Sequence, residues 1–286
     1  MLSGRRIAFV IAGAVLLATT LVSVALRCFV RMKLVRRTGC DDALLIMAAV
    51  LNIAFFASGV AAVSYGFGSD PNTAVNTPND RSKALLYWFT TQLLSIATLT
   101  IARLSIAATL LQIILAAKYR WTLYFVVSLS TLTGIGVFFF TIFRCYPVAT
   151  YWNSESYRDS CASPKSSQVV WYLFSATAAL SDLTLSFLPV FTISKLQMGG
   201  RTKLALAGIL GFGCSATGAV IARIPLFTLY EESNSNFYAG ALIEILTFVE
   251  SSMVITAGGV MMIRPLLRIL SRGRNTRGDN YEHCVS

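Results

Sequence analysis

Seven long apolar stretches dominate the 286-residue sequence. They cover residues 7–26, 43–65, 84–116, 121–143, 169–194, 204–230 and 238–263. Each approaches or exceeds the roughly 20 residues that a helix needs to cross a bilayer. They show no strand-like alternation of polar and apolar residues, and in lipid only helices and closed barrels satisfy every backbone hydrogen bond. The sequence therefore predicts an all-α, polytopic membrane bundle of seven transmembrane helices.

Composition and charge distribution agree with this class and predict an orientation. Hydrophobic residues make up 55% of the chain, more than one soluble core can hide. Fifteen Lys and Arg lie in 27–42, 117–120, 195–203 and 264–286, against seven in the connections on the other side, so the former side is predicted to be cytoplasmic. Residues 1–6 then form a short extracellular N-terminus, and 264–286 form a basic cytoplasmic tail.

The net charge of +11 follows from this topology. We expect the lipid bilayer, at the plasma membrane or an endomembrane, as the chain's environment. We do not expect a nucleic-acid partner, because the chain has no soluble basic domain.

Five charged side chains lie inside the predicted spans. A charge at bilayer depth costs at least about 2.5–3.5 kcal/mol, so each should face a protein or water interior. Counting residues from the span ends, at a rise of about 1.5 Å each, places Arg103, Asp182 and Glu250 in one layer, as a buried charge cluster. Arg223 and Glu244 share an outer layer, as an outer charge pair. Structural ion pairs and a ligand or proton site both explain such charges.

Prolines, cysteines and tryptophans add local expectations. Pro189 and Pro225 lie within spans and are expected to kink their helices, which is consistent with a central cavity. Cys145 and Cys161 share a predicted outer loop, where oxidising conditions favour a disulfide. Tryptophans at or near span ends indicate an interfacial belt. These are Trp88, Trp121, Trp152 and Trp171.

Several kinds of chemistry are disfavoured. No Lys lies within a span, which argues against a retinal Schiff base, and the single His is His283 in the tail, which argues against haem or His-based metal sites in the membrane. We expect no metal. If the chain is an enzyme, Asp182 and Glu250 are the candidate catalytic acids. Asp41 and Asp42 are interpreted as first-turn residues that complement a helix dipole.

Short motifs follow one another in a recognisable order. They are Arg36-Arg37-Thr38-Gly39-Cys40-Asp41-Asp42, Gly66-Phe67-Gly68, Ala102-Arg103-Leu104-Ser105-Ile106, Phe143-Arg144-Cys145-Tyr146-Pro147 with Tyr151-Trp152 and Cys161, Ser181-Asp182 through Leu188-Pro189, Lys195-Leu196-Gln197-Met198 to Lys203, Ala222-Arg223, and Val249-Glu250 leading to Arg264-Pro265-Leu266.

This ordered set resembles the fungal rhodopsin-like integral membrane family, whose relatives include Pth-type receptors and membrane proteins of satratoxin-type clusters. The resemblance covers roughly 27–268 and implies a seven-helix fold with an outside N-terminus. It includes the predicted cytoplasmic motif of Arg36, Arg37, Gly39, Asp41 and Asp42. In the family, span three usually has Lys where this chain has Arg103.

Three functions remain open at this point. The first is a receptor-like sensor of a small, apolar ligand, working without retinal and with a cytoplasmic signalling partner. The alternative is a membrane-embedded accessory protein or enzyme, of isomerase or cyclase type, in a secondary-metabolite cluster. A transporter is a third reading, which the absence of a visible inverted repeat disfavours.

Overall fold

The computed structural model describes residues 2–35, 39–67, 78–114, 117–152, 161–194, 211, 213–227 and 237–261. Seven α-helices are present in this part of the chain. They are α1 (Leu2–Val30), α2 (Cys40–Ser64), α3 (Pro78–Ile113), α4 (Ala117–Phe143), α5 (Pro164–Ser194), α6 (Gly213–Phe227) and α7 (Phe237–Met261). A π-helical turn, Arg31–Val35, continues α1, and a 3-10 helix covers Val148–Tyr151.

Six of these helices are long and apolar enough to cross a membrane, and the described part of α6 is shorter. Large apolar side chains point outward from the bundle, for example Val22 at 67% exposure on α1 and Phe125 and Leu132 at 70% on α4. Such a surface is stable against lipid tails rather than water. The predicted all-α membrane class is confirmed for the described residues, and the count of seven spans stays a prediction.

Helices α3 and α7 form the centre of the bundle. The most apolar stretch of α3 is 67% buried and that of α7 is 56% buried, against 28% for α1, α2 and α4. Helix α3 packs against α2, α4, α5 and α7, and α7 also contacts α1 and α2. Many polar side chains on α3 and α7 are therefore buried in the protein interior, among them Arg103, Thr109 and Glu250.

Helices α5 and α6 approach each other closely at Gly213. A Cβ at this position would collide with the Ser186 hydroxyl, which itself donates to the Asp182 carbonyl oxygen at 2.7 Å. Small residues permit such close contacts between membrane helices. Pro189 lies inside α5, which continues to Ser194, and Pro225 lies inside α6. The kinks expected at these prolines stay a prediction.

The chain turns sharply after α2. Gly66 has a positive φ of 98°, its N–H donates to the Val63 carbonyl at 3.1 Å, and the Phe67 N–H donates to Ala62 at 3.0 Å. This is a helix C-terminus closed by a left-handed glycine. It places the Phe67 ring on Trp88, with 4.3 Å between the ring centroids.

A disulfide joins Cys145 and Cys161, as the sequence predicted. A backbone hydrogen bond from Ala162 N–H to the Arg144 carbonyl oxygen, at 2.8 Å, accompanies it. The bridge connects the end of α4 to the start of α5. This end of the bundle is called the disulfide end below.

Candidate functional site: two buried charge networks and a cavity

Arg103, on the central helix α3, binds acids from two other helices. Its Nε donates to Asp182 Oδ1 at 2.9 Å and its Nη2 to Asp182 Oδ2 at 3.2 Å. The same Nη2 donates to Glu250 Oε1 at 2.5 Å. The three side chains that the depth count grouped thus lie in direct contact and tie α3 to α5 and α7.

Arg223, on α6, joins this cluster from the disulfide end. Its Nη1 lies 2.9 Å from Glu250 Oε2 and donates to the Thr247 hydroxyl at 3.1 Å. Its guanidinium carbon lies 6.0 Å from the centre of the Phe174 ring, within cation–π range. We call Arg103, Asp182, Arg223 and Glu250 the central network; each is at most 4% exposed.

The structure shows no salt bridge between the two members of the predicted outer pair, Arg223 and Glu244, which both belong to the described residues. Arg223 forms its salt bridge with Glu250, and within the described residues the Glu244 Oε2 atom has no hydrogen-bond partner. The depth count used backbone positions alone, whereas a long arginine side chain reaches across the distance between the two predicted layers. Arg223 therefore links the layers that the sequence analysis kept apart.

A cavity lies against Arg223 at the disulfide end. Side chains of α3, α5, α6 and α7 line it, together with Arg144 at the end of α4. Its described lining consists of Trp88, Gln92, Ser95, Arg144, Gln168, Trp171, Phe174, Arg223, Phe227, Ile243, Glu244 and Thr247. Trp88 and Trp171, predicted as belt residues, face this cavity, and Trp88 is buried.

Asp182 also borders a second cavity, which is mostly apolar. Both candidate catalytic acids, Asp182 and Glu250, are held by arginines through salt bridges. Among the described residues, no group of three or more His, Cys, Asp or Glu side chains is placed to hold a metal ion. The geometry at these acids is that of a compensated ion network.

A second buried network lies at the opposite end of the bundle. Arg27 contacts Asp41 at 2.6 Å and Asp42 at 2.9 Å, and Arg31 contacts the same two acids at 2.6 and 2.9 Å. All four side chains are buried. We call them the Asp41–Asp42 network. Asp42 additionally accepts from the Gly39 N–H at 3.4 Å, which is the helix-start role expected from the sequence.

Helices α3 and α7 complete this second network. Asp41 accepts from Thr109 at 3.2 Å and from Gln112 at 3.1 Å, both on α3. Arg27 Nη1 donates to the Gly258 carbonyl oxygen of α7 at 2.6 Å. The network therefore connects α1, α2, α3 and α7, just as the central network connects α3, α5, α6 and α7.

Sequence reasoning missed Arg27 and Arg31 as site residues. They were counted within a connection spanning 27–42, whereas helical structure continues through them to Val35. Their spacing of four residues, which places both on one helix face, was the available signal. The predicted motif residues Arg36 and Arg37 lie outside the described residues.

The model of the fungal rhodopsin domain matches residues 26–269 of the chain. The chain belongs to this family. All eight charged residues of the two networks lie within the fungal rhodopsin domain. A search of curated proteins and a search of solved structures found no significant match.

Proposed function

We propose that this fungal rhodopsin-family protein is a seven-span, receptor-like sensor of a small ligand that binds without retinal in the cavity against Arg223. The single observation that carries the proposal is Arg223 itself, which lines the cavity and forms a salt bridge to Glu250 in the central network. Cavities between helices, with few convergent polar groups, are the usual ligand sites of bundles.

The central network supplies a route from the cavity to the opposite end. A ligand that binds the Arg223 guanidinium competes there with the Glu250 carboxylate. Because Glu250 binds both Arg223 and Arg103, a weaker contact with Arg223 alters the contact with Arg103. Arg103 lies on α3, whose Thr109 and Gln112 contact Asp41. Two bundle states with different charge pairing would let binding at one end bias the other. A signalling partner on the cytoplasmic side would read that change.

The test places a bulky side chain in the cavity wall and measures a cellular response. Transcripts that respond to a small-molecule library in the parent strain, but not in a deletion strain, define the response. The deletion strain is then complemented with Ile243→Trp, which places an indole in the cavity wall, or with Ile224→Trp, at a 39% exposed position on α6. Both variants carry the same substitution, and membrane abundance is measured for each.

We expect the Ile224→Trp variant to restore the response. We expect the Ile243→Trp variant to restore membrane abundance without the response, and a full response from this variant would overturn the proposed function. An intermediate that accumulates in the medium or cells of the deletion strain would instead favour the biosynthetic enzyme. Loss of uptake of one compound would favour the transporter.

A further inference from the structure

The central network lies between the two cavities. We call the cavity against Arg223 the first cavity and the mostly apolar one the second cavity. On α7, Thr247 lines the first cavity, Met253 lines the second, and Glu250 lies between them. The same order holds on the other three helices, with Ser95, Arg103 and Ile106 on α3, Phe174, Asp182 and Leu185 on α5, and Phe227, Arg223 and Ala216 on α6. The two cavities are therefore stacked along the bundle, and the network separates them.

The second cavity lies toward the opposite end of the bundle from the disulfide. Ala257 and Met261 of α7 line it, and the carbonyl oxygen of Gly258, next to Ala257, accepts from Arg27 in the Asp41–Asp42 network. The first cavity lies at the disulfide end. Together they approach the two predicted faces of the membrane from inside the same four helices, α3, α5, α6 and α7.

The network spans the whole separation between the cavities. Arg223 lines the first cavity and Asp182 lines the second. Between them run direct contacts from Arg223 to Glu250 at 2.9 Å, from Glu250 to Arg103 at 2.5 Å, and from Arg103 to Asp182 at 2.9 Å. Along α7 the distance from Thr247 to Met253 is about 9 Å at the usual helical rise. A single layer of charged side chains therefore closes one cavity off from the other.

This layer is closed but polar. Each of its four side chains is at most 4% exposed, so their contacts leave little room for water between them. Space that opens in a polar layer fills with water, whereas an apolar cavity stays dry. Charged side chains at bilayer depth that face such space mark ion and proton pathways. The layer is thus placed to act as a gate.

We propose that α3, α5, α6 and α7 enclose a path for protons, with the two cavities as its halves and the central network as its closed gate. This permeation is an activity separate from ligand sensing. Helices α3 and α7 contribute Arg103 and Glu250, and α5 and α6 contribute their partners Asp182 and Arg223. Movement of α5 or α6 away from the other two helices separates these pairs and opens the gate.

A double variant that removes part of the gate tests the path. Full-length protein is reconstituted in liposomes that contain a pH-sensitive dye, with valinomycin and potassium to compensate charge. Arg103→Ala with Asp182→Ala removes a balanced pair, leaves space between the cavities and keeps the bridge from Arg223 to Glu250. The pH gradient should collapse several-fold faster with this variant than with the wild-type protein, whose gate is closed.

The second network supplies a matched control. Arg27→Ala with Asp42→Ala also removes a buried balanced pair and leaves the bridge from Arg31 to Asp41. Neither Arg27 nor Asp42 belongs to the described lining of either cavity, so this variant should hold the gradient as the wild type does. Equal proton flux through both double variants, or no increase with the first, would overturn the path.

Two tryptophans then test whether the cavities act in series. In the Arg103→Ala and Asp182→Ala background, Ile243→Trp fills space at the first cavity and Met253→Trp at the second. Because both cavities belong to one path, either substitution should slow the collapse to the wild-type rate. Ile224→Trp, at a 39% exposed position, should leave it fast. Persistent flux with either cavity substitution would show that protons cross elsewhere, for example through a damaged bundle.

Folding is checked separately from permeation. Each variant is reconstituted only if it elutes as a single species in detergent, and Arg103→Ser with Asp182→Ser provides the same gap with polar walls if the alanine variant does not. The assay contains neither a ligand nor a signalling partner. A tight double variant would therefore refute the proton path and leave the sensing function standing, and normal signalling by Ile243→Trp cells would do the reverse.

Discussion

A buried arginine is stable only when its charge is compensated, and the central network achieves this with acids from different helices. Arg103 and Arg223 carry two positive charges, and Asp182 and Glu250 carry two negative ones, so the set is neutral. Removal of one member of a buried ion pair leaves an unpaired charge, which costs about 3–5 kcal/mol. Replacement of a whole pair by apolar residues costs far less.

This difference predicts the behaviour of the Arg103 and Asp182 pair. Arg103→Met and Asp182→Leu should each lower the midpoint of thermal unfolding in detergent strongly, with about 3–5 kcal/mol lost. The double variant retains the Arg223–Glu250 bridge as a balanced pair, so it should be more stable than either single variant. A double variant whose losses simply add would show that the two charges do not act together.

At residue level, sequence reasoning located the buried charges better than their partners. The counted depths of Arg103, Asp182 and Glu250 place them in one layer, and their side chains are in contact. The partner of Arg223 could not be deduced in this way, because residue counts contain no information about side-chain direction or helix tilt. Only coordinates place its guanidinium on Glu250 and leave Glu244 facing the cavity.

At the scale of helices, the two networks divide the bundle between them. Both include α3 and α7, and each adds a different pair of helices, α1 with α2 at one end and α5 with α6 at the other. Hydropathy ended the first predicted span at residue 26, because Arg27 follows. The helix continues because Asp41 and Asp42 compensate that charge, which a one-dimensional apolar pattern does not report.

The close approach of α5 and α6 yields a prediction for two glycines on one helix. In Gly213→Ala the new Cβ meets Ser186, so we expect a loss of about 1–3 kcal/mol from overpacking. In Gly218→Ala no atom of the described residues lies within 4 Å of the new Cβ, so stability should hold or rise by up to about 1 kcal/mol through helix propensity. Thermal unfolding in detergent compares the two variants.

Ser186→Gly is the corresponding rescue. It removes the side chain that Gly213→Ala would meet, so the double variant should recover part of the lost stability. If Gly213→Ala and Gly218→Ala unfold at the same temperature, α5 and α6 do not pack as closely as the structure shows.

For the whole molecule, the networks modify the charge argument for orientation. Arg27 and Arg31 belong to the fifteen cationic residues on the predicted cytoplasmic side, but salt bridges to Asp41 and Asp42 bury them. Without these two arginines, thirteen Lys and Arg residues remain on the predicted cytoplasmic side, against seven on the other side. The positive-inside rule therefore still predicts the same orientation. The disulfide at the opposite end agrees, because such bonds persist on the oxidising side of a membrane.

This orientation predicts on which side of the membrane an antibody reaches the tail and the connection before α3. An epitope appended after Ser286 should be detected only once cells are permeabilised, because the predicted orientation puts the basic tail in the cytoplasm. An epitope inserted between residues 68 and 77, in the connection before α3, should be detected in intact cells if the protein lies in the plasma membrane. If it lies in an endomembrane, selective permeabilisation of the plasma membrane with digitonin should expose the tail alone. Detection of the inserted epitope but not the tail under that treatment would reverse the orientation and place the cavity on the cytoplasmic side.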